Sequence, residues 1–360
     1  MTSKERVLRA IRHEKTDRPP IYSSLTPQMA QKLADHFGIP REEPANSLLG
    51  SRCSFTELLH KMGDDLVGVA ACYPDDKPVV KTADGLLVNE WGMTFKDCGL
   101  YSEFYKFPLE NAESVNDILN YSFPEPHAKG RYDLAKKVIA KYGKNYGIVG
   151  DLETTIFETC WYLVGLEKFL MDLMVEPPYV NALLDKVMHV NLEIGKELIR
   201  LGVDILWCGD DFGTQTGCIM DPEIWRKHFK PRIQYMITEF KKVNPEVKIA
   251  WHSCGSILPI VPDFIEAGLD ILNPLQPLAT GMEPKFFKDT YGKQLAFFGA
   301  IDVQHLLPNE SPAKVKSEVK CIASILGKDG GYILAPAHNI QPDTPVENVL
   351  AMYEAVHEIG

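Results

Sequence analysis

The chain has 360 residues, 45% of them apolar and 24% charged, and 49 Asp plus Glu against 38 Lys plus Arg leave a formal charge of −11. This is a globular composition, and a chain of this length buries roughly three quarters of its unfolded surface without disulfide staples. The acidic balance argues against nucleic acid as a partner, because a phosphate backbone repels such a surface.

The eight cysteines, at 53, 72, 98, 160, 208, 218, 254 and 321, contain no C-x-x-C pair, which disfavours a disulfide framework or a zinc ribbon. The opening MTSKERVLRAIRHEK is charged from its fourth residue, unlike a signal peptide, and no apolar run approaches the ~18 residues of a membrane span. A cytoplasmic protein with reduced thiols and no membrane partner is expected.

Thr2 and Glu5 have capping-box spacing, and Val7, Leu8 and Ile11 then form one apolar helical face that Pro19-Pro20 stops. A first strand is predicted from Ile21. Short apolar runs bounded by turns place seven more in 64–70, 146–152, 203–208, 247–254, 269–275, 295–302 and 331–337. Most intervals between them carry helical period, as in Val180, Leu183, Leu184, Val187, Val190, Ile194 and Leu198, closed by Gly202.

Alternating strand and helix implies a parallel sheet. A doubly wound open sheet would satisfy the same alternation. Eight units with no linker between them favour an α/β (β/α)8 TIM barrel, one domain over residues 1–360. The long interval after the second strand holds Asp84-Gly85 between VVKTA and LLVNEWG, which reads as a β-hairpin insertion capping one mouth.

The predicted strands end on Asp151 and Glu153, Asp210 and Asp211, His252 and Cys254, Asn273 and Gln276, Asp302, and His338 with Asn339. In a parallel barrel these reach one mouth, the face where barrel enzymes place their sites; single carboxylates and amides there also serve as helix caps. His252 and Cys254, one residue apart on a strand, point to the same face. Imidazole and thiolate together suit zinc, although a strand cysteine is more often a small hydrophobe.

His338 is the best candidate for a third ligand, which would leave an open fourth position. Asp210 and Asp211 fit a general acid, partners that orient the histidines, or an acidic pair at a helix N-terminus. Trp91, Tyr101, Trp161, Tyr162 and Trp207 are candidates for an aromatic wall, or plain core. No G-x-G-x-x-G or P-loop occurs, so a dinucleotide or nucleotide held by those means is not expected.

The opening SKERVLRAIRHEKTDRPP, the WHSCGSI stretch, FFGAID and APAHNIQPDTPVENVLAMYEAV resemble the uroporphyrinogen decarboxylase superfamily, nearly end to end. The resemblance implies a (β/α)8 barrel and one of two branches: metal-free porphyrinogen decarboxylases, or zinc methyltransferases that work with a corrinoid protein. The decarboxylase branch carries an R-Q-A-G-R motif after the first strand, where this chain has IYSSLTPQMAQKL with no arginine. A substrate with many carboxylates would lack its cationic clamp. The methyltransferase branch implies a His-x-Cys pair, matched by His252 and Cys254, and a late cysteine replaced here by His338.

IFETCWYLVGLEKFLMDL and CGDDFGTQTGCIMDPEIW look most like members found in O-demethylase systems. The resemblance therefore implies a zinc-dependent methyltransferase moving a methyl group from a small-molecule donor, foremost a methoxylated aromatic, to the Co(I) of a corrinoid (cobalamin) protein. On it, Asp210 or Asp211 supplies the proton, while Tyr22, Glu153, Trp207, Gln276 and Asn339 line the substrate. Two alternatives stand beside it: a metal-independent decarboxylase of a smaller carboxylated substrate, and a binding protein on a decayed barrel. Monomer and homodimer are both compatible with the sequence.

Overall fold

The computed structural model describes residues 1–45, 47, 52–74, 76–98 and 102–359. Its strands are β1 (Leu66–Ala70), β2 (Val80–Lys81), β3 (Leu87–Val88), β4 (Thr94–Asp97), β5 (Ser102–Lys106), β6 (Gly147–Asp151), β7 (Ile205–Gly209), β8 (Lys248–His252), β9 (Ile271–Leu275), β10 (Ala296–Ile301) and β11 (Tyr332–Pro336). Seven of them form one parallel sheet in the order β1-β6-β7-β8-β9-β10-β11.

Ile21 links the two edges of that sheet. It makes a parallel bridge to Leu334 of β11, and its carbonyl accepts the Asp65 N–H at 2.9 Å beside β1. The predicted first strand is thus a bridge rather than a ladder, because Pro19 and Pro20 just before it bring no N–H to pair. The result is a sheet of TIM-barrel type.

The parallel strands read as unbroken apolar runs because both faces are covered. Tyr22, Leu66, Val149, Ile205, Trp207, Ala250, Ile271, Ala296, Phe298, Ile333 and Ala335 pack together inside the barrel. Their neighbours in sequence turn outward under the helices, Trp251 for example against Phe264 at 5.8 Å between ring centres. This alternation sends His252 inward together with Ala250. The helix Tyr179–Arg200 buries the predicted apolar stripe and ends before Gly202 at φ +98°. Among the described residues no helix is long and apolar enough to cross a membrane.

Where the sequence suggested one hairpin, the structure has a four-stranded antiparallel sheet, β2-β3-β4-β5. Gly85 turns the first pair at φ +85°, while TFKD and SEFYK carry too little apolar patterning to announce the second. Phe104 of β5 packs on Tyr162 (4.4 Å), Phe95 (4.8 Å) and Trp161 (5.3 Å), which ties this sheet to the helix Phe157–Val164 beside the mouth.

A buried ion pair makes a further tie. The Arg131 guanidinium donates to both Glu90 oxygens (2.8 and 2.9 Å) and to the carbonyls of Cys72 and Glu125. Arg131→Ala strands a buried carboxylate and is expected to cost about 3–5 kcal/mol. The measurement is urea unfolding, with Arg131→Met combined with Glu90→Gln expected to recover most of the loss.

Candidate metal centre

His252 closes β8, Cys254 follows two residues later, and Asp211 lies two residues past β7. Their donor atoms all lie within 4.8 Å of one another. The His252 Nε2 is 3.4 Å from Cys254 Sγ and 3.4 Å from Asp211 Oδ1, with Glu153 Oε1 at 3.7 Å. A tetrahedral zinc bound at ~2.0–2.3 Å from each donor spaces those donors about 3.3–3.8 Å apart. The two spacings about His252 Nε2 match such an ion, and the third, between Cys254 and Asp211, is no more than 4.8 Å.

Burial pushes the His252 imidazole down to about 4, against the opposing pull of Asp211. It is neutral at pH 7 and keeps a lone pair. Burial, with Asp211 adding to it, pushes the Cys254 thiol well up. Without a metal this sulfur holds its proton.

The acidic pair divides its work. Asp210 is fully buried and its carboxylate accepts the backbone N–H groups of Ile156 and Glu158 at 2.9–3.0 Å, which anchors the start of the helix Phe157–Val164. Burial pushes it up to about 8 against those donors. Asp211 instead faces the site and accepts the Cys254 N–H at 2.7 Å. Its own N–H donates to Glu158 Oε2 at 3.2 Å, and Tyr162 donates to the other Glu158 oxygen at 2.9 Å. Burial, followed by Asp211 and Asp210, pushes the Glu158 carboxyl well up.

His338 stands apart from the three-donor group, its ring centre 6.4 Å from that of His252. Cys254, Gln276, His338 and Asn339 share the lining of a cavity of about 290 Å³. There the Asn339 Oδ1 is buried without a hydrogen-bond partner among the described residues. Gln276 Oε1 accepts the Gly255 N–H at 2.7 Å, so that oxygen is committed to the chain. Tyr22 lies in the barrel interior and donates to the Arg52 carbonyl at 2.8 Å.

Trp207 stacks beneath His252, 5.9 Å between ring centres. The other aromatic candidates do not share its place: Trp91 is buried against Phe123, Trp161 and Tyr162 pack on Phe104, and Tyr101 lies outside the described residues.

Three neighbours of the donors were not singled out from the sequence. Arg52 is buried over the Trp207 ring at 4.2 Å and ion-pairs with Glu153; it comes from an irregular segment, where no periodicity marks an inward side chain. Glu158 sits in the first turn of an ordinary-looking amphipathic helix. Asn273, noticed only as a strand end, holds the His252 ring through Nδ1···Oδ1 at 2.5 Å.

This is the architecture of a barrel enzyme with its polar side chains at the strand ends. Residues 95–359 match the family model described as uroporphyrinogen decarboxylase (URO-D), and the chain belongs to that family. It is 23% identical over 362 residues to a methylcobamide:CoM methyltransferase, MtaA, of Methanosarcina barkeri, covering 99% of this chain and 98% of that protein. It is also 23% identical over 369 residues to a uroporphyrinogen decarboxylase of Legionella pneumophila, covering 98% and 96%. A solved methyltransferase from Methanosarcina mazei has the same fold, with a TM-score of 0.72, 22% identity and 99% of both chains covered.

Proposed function

We propose that this protein is a zinc-dependent methyltransferase that takes a methyl group from a methoxylated aromatic and passes it to the Co(I) of a corrinoid protein docked over the mouth. The observation that carries this reading is the Asp211, His252 and Cys254 donor set, spaced for a tetrahedral ion. His338 faces it from the cavity wall as the further donor. Zinc bound there supplies Lewis acidity to the heteroatom that carries the methyl group.

The chain's own groups do the rest. The C–O bond breaks with its electron pair left on oxygen, and the methyl carbon forms its new bond with an electron pair from cobalt. A phenolate leaves a methyl carbon slowly unless it takes a proton, and Glu158, held protonated by burial beside Asp211, is placed to give one. The Tyr162 ring, joined to Glu158 through its hydroxyl, offers an aromatic substrate apolar support. Asn339 Oδ1 offers an acceptor to a substrate hydroxyl.

One observation favours the decarboxylase reading, namely the buried Arg52 cation. Its partner Glu153 already neutralises it, which leaves little to hold several substrate carboxylates. Elemental analysis and assays on one preparation decide between the two. One zinc per chain, with methylation of cob(I)alamin by a member of a methoxyaromatic panel, is expected. Carbon dioxide release by metal-free protein, with no cobalt methylation, would refute the proposal.

A further inference from the structure

Three polar groups fix the geometry of the His252 and Cys254 donors, and two of them come from one short stretch at the end of β9. Asn273 is buried and its Nδ2 donates to the Phe298 carbonyl at 2.8 Å. A carbonyl only accepts, so the amide nitrogen must face it and Oδ1 must face the imidazole. An Oδ1 at 2.5 Å from His252 Nδ1 requires the proton on Nδ1. Nε2 is then the lone-pair nitrogen, and it points at Cys254 and Asp211.

Three residues on, Gln276 Oε1 accepts the Gly255 N–H at 2.7 Å. Gly255, at φ +80°, lies so close to the loop after β7 that a Cβ would come within 2.5 Å of the Thr214 carbonyl oxygen. The turn carrying Cys254 is therefore wedged between that loop and Gln276, while Asp211 takes the Cys254 N–H from the other side.

We infer that Asn273 and Gln276 are positioning residues that act as one clamp: Asn273 sets the imidazole tautomer, Gln276 sets the cysteine turn, and the donor pair is assembled before any metal arrives. Gln276 on this view serves the metal site and not the substrate. The inference rests on the metal reading above, but its tautomer half is testable in metal-free protein. A nitrogen's availability to a metal follows from the hydrogen bond its ring partner makes, and losing such an orienting partner typically weakens metal binding 10–100-fold.

The test compares Asn273→Leu and Gln276→Leu with Asn273→Asp and Gln276→Glu, which keep an acceptor oxygen at each place. Zinc affinity is measured by competition with a chromophoric chelator, and ¹⁵N shifts of His252 are read without metal. Both leucine variants are expected to bind zinc about 10–100-fold more weakly, while Gln276→Glu stays close to the parent and Asn273→Asp, whose second oxygen takes a proton to face the Phe298 carbonyl, keeps its acceptor for the imidazole. The metal-free parent and Asn273→Asp should show the Nδ1–H form, which Asn273→Leu loses.

Unchanged affinity in both leucine variants would overturn the clamp while leaving the metal reading intact. A parent chain that takes up no zinc would overturn the metal reading, and the nitrogen shifts would still judge Asn273. Should one leucine variant fail to fold, the other still decides its own half.

Discussion

His252→Ala is expected to reduce bound zinc from about one equivalent to background and to end methyl transfer, and Cys254→Ala to do the same. Each removes a donor from the close group: the imidazole nitrogen is the atom from which the other two donors stand at 3.4 Å, and sulfur is the softest ligand in the set. His338→Ala should weaken binding less, because its ring stands outside the close group. Metal analysis after dialysis against a weak chelator reads all three. Full retention of zinc by His252→Ala would remove the basis of the proposed reaction.

The same chemistry fixes the direction of a pH effect. In the metal-free chain His252 is neutral down to about pH 4 and Cys254 keeps its proton. Zinc uptake near neutral pH must then displace the thiol proton and none from imidazole. Affinity should rise with pH by about a factor of ten per unit, and about one proton should appear per zinc bound. Titration calorimetry in buffers of different ionisation enthalpy measures that proton. In Cys254→Ser, whose hydroxyl is a far poorer zinc ligand, what binding survives should have lost most of this slope.

The parallel sheet was legible because a buried parallel strand has an unmistakable signature: an apolar run bounded by turns and followed by helical period. Seven runs became strands of one sheet, and Ile21 took its place as a bridge. The His252 and Cys254 pair was legible for a similar reason, since a period of two puts both on one face of a strand. The antiparallel sheet after β1 was only glimpsed, because exposed two- to five-residue strands bury little and need no pattern.

What the sequence could not supply was the meeting of distant segments. Asp211 and His338 were both on the strand-end roster, but only the fold decides which is nearer the imidazole. Arg52 and Glu158 lie in segments whose own patterning carries no trace of the site. Nothing local to Gln276 reveals that the Gly255 N–H comes within reach of its oxygen.

Asp210 and Asp211 are identical in chemistry and adjacent in sequence, yet their alanine variants should fail in opposite ways. Asp210 has no exposed surface and holds two buried backbone N–H groups at the start of the helix Phe157–Val164. Its removal orphans both, at about 1–3 kcal/mol each. Asp210→Ala should therefore lose about 2–6 kcal/mol of stability by urea unfolding, while the zinc affinity of the folded fraction stays close to the parent's.

The Asp211 side chain is 39% exposed, so water can replace it where it meets the Cys254 N–H. Asp211→Ala should shift stability by less than about 1 kcal/mol. Zinc affinity, by contrast, should fall at least 10-fold, since the variant loses a donor and the group that steadies Cys254. Unfolding curves and chelator competition on the same two variants separate the roles. Equal stability losses in the two, or zinc binding lost only with Asp210, would show that the division of labour between the neighbouring carboxylates is wrong.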